Sequence, residues 1–192
     1  MKKIILILTV LITFGFSNKF ATKKTLIFVK PESSLVINGK TNVNTFNCTY
    51  NIENLNQPIP VNFVANSNKL IFKNTYLPLV NVYFDCGNKM MNKDFRTLLK
   101  SEDHPKIYLR LKEITTINAN HLTALIALEL AGKTKLYSIP VTFQLNNSII
   151  NINGKINIDL YDFNLEPPKK FLGMVAVNNN IDVNFNLFLE KQ

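Results

Sequence analysis

The sequence predicts an all-β fold, an antiparallel sandwich or closed barrel carrying one helix. Three observations support this. Several runs alternate apolar and polar residues with period two, which gives a strand one buried and one wet face. Turn dipeptides punctuate those runs. Only one segment has helical spacing.

The alternation is read residue by residue. Ile59, Val61, Phe63 and Ala65 form one apolar face, and Val80, Val82 and Phe84 a second. Ile107, Leu109 and Leu111 continue the pattern, followed by Val141, Phe143 and Leu145, then Ile156, Ile158 and Leu160. The clearest run is Ile181, Val183, Phe185, Leu187 and Leu189 against Asp182, Asn184, Asn186, Phe188 and Glu190. Further strands fit Leu26 to Val29, Ser34 to Ile37, Val43 to Tyr50, Leu70 to Lys73 and Leu122 to Leu130. Asn146-Asn147, Ala131-Gly132 and Asn153-Gly154 read as hairpin turns, the last being the strongest such dipeptide in the chain. Met90 to Ser101 is the predicted helix, with Phe95, Leu98 and Leu99 on one face and Asn92 as its cap.

The N-terminus has a different character. Lys2 and Lys3 precede an apolar run from Ile4 to Phe16, and polarity returns at Ser17. A short basic region, an apolar stretch shorter than a bilayer span and small residues at Gly15 and Ser17 read as a secretory signal peptide, with an N-terminal membrane anchor as the alternative. Residues 1–17 are therefore expected to be removed, with Ala21 as the alternative cleavage point. Residues 18–192 form one domain, expected to be exported to the periplasm or beyond, with no stable membrane span.

The 22 basic residues less Lys2 and Lys3 leave 20 against 13 acidic, a net charge of +7. These lysines are scattered and Arg96 and Arg110 are the only arginines, so nucleic acid is not an expected partner. Asn occurs 28 times, which suits turns and polar strand faces. Cys48 and Cys86 are the only cysteines, and an even count in an exported chain predicts one disulfide. Free buried thiols and a Cys nucleophile are the alternatives.

No metal site and no cofactor are expected, because there is no CxxC and His104 and His121 are the only histidines. Enzyme chemistry is not expected either. There is no Gly-x-Ser-x-Gly, and Glu102 and Asp103 are adjacent, so they project differently.

The order of several motifs points further. Ser33 to Ile37 leads into Gly39-Lys40-Thr41-Asn42-Val43-Asn44-Thr45-Phe46. Met91-Asn92-Lys93-Asp94-Phe95 is followed by Leu98-Leu99-Lys100 and His104-Pro105-Lys106-Ile107. Gly132-Lys133-Thr134 opens the strand Leu136 to Leu145, and Ile152-Asn153-Gly154-Lys155-Ile156 leads to Asp162-Phe163 and Pro167-Pro168. In this order the chain, from about Leu26 to Leu189, resembles the YceI-like family of exported proteins. Asn38 stands near the place where many members carry a histidine. The resemblance implies an extended antiparallel eight-stranded, lipocalin-like barrel with one covering helix, and binding of a polyisoprenoid or similar long lipid inside it.

On that reading the candidate ligand-binding residues are Val61, Phe63, Val82, Phe84, Ile107, Leu109, Val141, Phe143, Ile156, Ile158, Val183 and Phe185. The expected partner is a hydrophobic small molecule or lipid. The alternative is a barrel with a filled core that serves structure or protein interaction. Lys169 and Lys170 are candidates to meet an anionic headgroup.

Overall fold

The computed structural model describes residues 21–170 and 174–191. The signal-peptide reading of residues 1–17 lies outside them. Strands β1 (Lys23–Val29), β2 (Ser34–Lys40), β3 (Thr45–Tyr50), β4 (Ile59–Asn66) and β5 (Lys69–Val80) come first. They are followed by β6 (Phe84–Asp85), helix α1 (Lys89–Leu98), β7 (Lys106–Asn118), β8 (His121–Leu130), β9 (Lys133–Asn146) and β10 (Ile149–Asp159). The short strands β11 (Lys169–Lys170) and β12 (Val175–Ala176) precede the last strand, β13 (Asn180–Lys191).

All ladders are antiparallel. The order β1-β4-β5-β7-β8-β9-β10-β13 closes on itself because β13 pairs with β1, giving an eight-stranded barrel without free edges along that ring. The first strand position is split. The end of β13 pairs with β1 and its beginning with β2, so β1 and β2 run in line along one neighbour. The break falls at Pro31, and β13 stitches it: Lys30 N–H donates to Phe188 O at 2.8 Å, and Phe188 N–H donates to Ser33 Oγ at 2.9 Å.

The two ends of the barrel differ. One end carries the tight hairpins after β4, β7 and β9. The other is covered by α1, the 3-10 turn Leu160–Phe163 and the β2–β3 hairpin. There Leu35, Ile37, Tyr50, Leu79, Ile107, Leu128, Ile139, Ile158, Phe163 and Leu165 are buried in one contiguous core. Phe95 and Leu98 of α1 pack on it, and Leu99 is fully inside. Cys48 on β3 bonds Cys86 just before α1, which ties the helical cover to the wall.

Local corrections to the sequence reading have clear causes. Val80 to Phe84 is not one continuous strand: Val80 ends β5 and Phe84 begins β6. Asn81 is buried, with its Nδ2 donating to Ser101 Oγ at 2.9 Å and to His104 O at 2.8 Å, and its backbone N–H to Pro105 O. These bonds draw the chain into a 3-10 turn, Asn81–Tyr83, and turn Val82 outward at 58% exposure. Asn153-Gly154 lies within β10, and the hairpin turn is at Asn147, with positive φ, instead. The helix cap is Asn88, whose side chain accepts from Met91 N–H. Asn92 binds back to Cys86 N–H and Asp85.

Candidate functional site

Strand register decides which side chains face the barrel interior, because directly opposed residues share a face. One interior row runs Leu122 on β8, Val141 on β9, Gly154 on β10, Phe185 on β13 and Leu35 on β2. This row is a boundary. On the helix side of it the inward residues are buried against one another. On the hairpin side, Val61, Phe63, Leu70, Ile114, Phe143, Ile152 and Leu187 face inward yet stay partly accessible to solvent.

The arrangement of contacts agrees with this. Ile27 and Phe72 are buried in the hairpin half, but neither belongs to the contiguous core. Phe63 and Phe72 meet each other instead, with ring centroids 5.8 Å apart. The interior is therefore fully buried at the covered end, and at the hairpin end, the vestibule, its inward apolar side chains are mostly only partly buried. Among the inward-facing polar groups of the wall, Thr75 Oγ1 accepts from Asn62 N–H at 3.1 Å.

The sequence-derived candidates separate along this boundary. Val61, Phe63 and Phe143 line the vestibule, and Val141 and Phe185 stand in the boundary row. Ile107, Leu109, Ile156, Ile158 and Val183 face inward within, or packed on, the solid half. Phe84 is buried beneath α1, with its ring 5.1 Å from Phe95 and 4.9 Å from Tyr50. Val82 is on the outside. Leu70, Ile114, Ile152 and Leu187 of the vestibule and Leu122 of the boundary row were missed as lining residues. β5 shifts register between Ile71 and Thr75, and β7 between Leu111 and Glu113, so the inward set changes parity within each strand. The β11 backbone, with Lys169 and Lys170, lies at the covered end, away from the vestibule mouth.

The two histidines serve different ends of the barrel. The His104 ring packs on Gly132 in the β8–β9 turn, and His121 Nδ1 lies 3.0 Å from Asn118 Oδ1 in the β7–β8 hairpin. Among the described residues no three His, Cys, Asp or Glu side chains come together as a metal site. No helix of the described residues is long and apolar enough to cross a membrane.

The YceI-like domain model matches residues 78–189, from the end of β5 through nearly all of β13. The chain belongs to the YceI-like family. Solved structures share its fold. BcnA of Burkholderia cenocepacia superposes with a TM-score of 0.67 at 16% identity, covering 83% of this chain and 98% of that one. A polyisoprenoid binding domain from Saccharophagus degradans, implicated in plant cell wall breakdown, gives 0.61 at 11% identity over 90% and 100%. The Campylobacter jejuni YceI protein gives 0.53 at 12% identity over 65% and 85%. No curated protein matches the chain. Membership of the YceI-like family agrees with the closed eight-stranded barrel and with the single α-helix among the described residues.

Proposed function

We propose that this YceI-like chain is an exported carrier that sequesters one elongated apolar ligand, an isoprenoid-like lipid, in the vestibule of its barrel. The observation that carries the reading is the set of inward apolar side chains that stay partly accessible at the hairpin end. Inward apolar side chains exposed to water are costly, and an apolar guest removes that cost. About 300 Å² of buried apolar surface contributes roughly 7 kcal/mol, partly offset by immobilising the guest. The polyisoprenoid binding domain among its structural relatives supports a lipid of this class. The Cys48–Cys86 disulfide supports an oxidising compartment. The function needs no catalytic step: the wall offers shape and apolar surface.

The test is native mass spectrometry and solvent extraction of the purified protein, followed by titration with a long-chain polyprenol. A bound lipid, or stoichiometric polyprenol uptake, is expected. Leu122→Trp or Ile152→Trp fills the vestibule and should abolish uptake while the far core stays intact. A protein that carries no lipid and takes up no polyprenol would leave the filled-barrel interaction protein as the better reading.

A further inference from the structure

The outer face of the solid half carries a concavity of about 450 Å³, lined chiefly by Asn38, Lys40, Asn47, Asn157, Asn180 and Asp182. Four of these residues form a straight row across four strands. Asn157 on β10 opposes Asp182 on β13, Asp182 opposes Asn38 on β2, and Asn38 opposes Asn47 on β3. With strands about 4.8 Å apart, the row is roughly 14 Å long. Its lip is built by the segment before β13: Asn178 N–H donates to Lys40 O at 2.8 Å, and Asn178 Oδ1 accepts from Asn180 N–H at 2.9 Å.

The chemistry of the groove is narrow. A side-chain amide presents an acceptor beside two donors, and a carboxylate adds acceptors. Asp182 is held in place by Asn157 Nδ2 at 2.9 Å and Lys155 Nζ at 2.9 Å. Vicinal hydroxyls both donate and accept, and they pair with such groups two at a time. Other ligand classes fit poorly. Phe46, its ring over Gly39, is the one aromatic side chain of the lining, and the other side chains there are polar, which gives an apolar partner little surface. One carboxylate is too few for a hard cation. Lys40 is the one cation lining the groove, and the Asp182 carboxylate shares that lining, which does not suit a phosphate. An ordinary solvated strand face carries long charged side chains and is convex; this face is concave and rich in amides.

We propose that this groove binds a neutral oligosaccharide lying across β10, β13, β2 and β3. The strand spacing is close to the repeat of a β-1,4-linked pyranoside chain, so successive sugar units meet successive side chains of the row. The site lies on the opposite face of the wall from the vestibule and does not depend on lipid binding there.

The experiment uses isotope-labelled protein titrated with cellohexaose, xylohexaose and maltohexaose while side-chain amide resonances are followed by NMR. Shifts confined to Asn38, Asn47, Asn157, Asn178 and Asn180 are expected with at least one hexasaccharide. The Asn38→Leu/Asn157→Leu double variant should bind about tenfold more weakly, two hydrogen-bonding groups being lost. Asn47→Leu, on exposed surface, provides the same test if the double variant does not fold. The proposal is overturned if none of the three sugars shifts these resonances at about 10 mM. It is equally overturned if folded variants bind as wild type, or if calcium or inorganic phosphate shifts the same resonances at lower concentration.

Discussion

The tip of the Phe185 ring lies over Gly154, its directly opposed neighbour, at the place a Cβ on Gly154 would occupy. The pair sits in the row that separates the solid half of the interior from the vestibule. A glycine here lets the largest side chain of the row lie over its neighbour. Gly154→Ala forces the ring off the wall and into the lumen, an overpacking that costs about 1–3 kcal/mol. Thermal denaturation should show the loss, and polyprenol uptake should fall with it. An alanine variant as stable as wild type would show that the ring is free to move elsewhere.

The disulfide closes a loop with a sequence separation of 38 residues, tying β3 to the start of the helical cover. Chain-entropy arithmetic gives a stabilisation of about 4 kcal/mol. Cys48→Ser/Cys86→Ser should lose most of that in chemical denaturation. Non-reducing peptide mapping of the wild type should recover one linked pair. Two freely alkylatable thiols would contradict the bond.

Leu99 caps α1 from inside the core, beside Phe95 and Leu98. Leu99→Asp buries a charge without a partner, and a loss of about 3 kcal/mol or more is expected. Hydrogen exchange should show the deprotection spreading over the covered end before the hairpin end. A uniform loss across the barrel would mean that the two halves unfold as one unit.

Stability should be bounded on both sides in pH. Hydrogen bonds from Asn92 and the Gly87 N–H hold Asp85 below the ordinary carboxylate range. Lys69 and Thr115 do this for Glu113, and Asn157 and Lys155 for Asp182. A depressed folded-state pKa contributes stability above the unfolded value, which is lost as pH falls through the folded value, so the acid limb opens below about pH 4. Burial raises the Tyr50 hydroxyl, and burial with the nearby Asp162 raises Tyr137. A raised phenol contributes stability below its unfolded value, which is lost as pH rises, so an alkaline limb opens above about pH 10. Urea midpoints measured across this range should form a plateau falling at both ends. A midpoint that rises between pH 5 and pH 3 would contradict the acid assignments.

Much of this architecture is local and therefore legible in the chain itself. Alternation at Ile181 to Leu189 and Ile107 to Leu111 marks which side chains point inward, because period two is a property of the extended backbone. The helix and the cysteine pair were visible for the same reason: helical spacing and residue count need no tertiary information. The tertiary structure decided what alternation cannot encode. A buried Asn81, whose Nδ2 donates to Ser101 and to the His104 carbonyl some twenty residues on, overrode the apolar phase of Val80 to Phe84 and put Val82 outside. Register shifts in β5 and β7 moved the inward set from one parity to the other. Gly154 looked like a hairpin turn until the ring of Phe185, thirty-one positions away in sequence, was placed over it. Above all, which half of the lumen is fully buried depends on where α1 and Leu160–Phe163 close the barrel. That is set by contacts between distant segments, and no local pattern of residues records it.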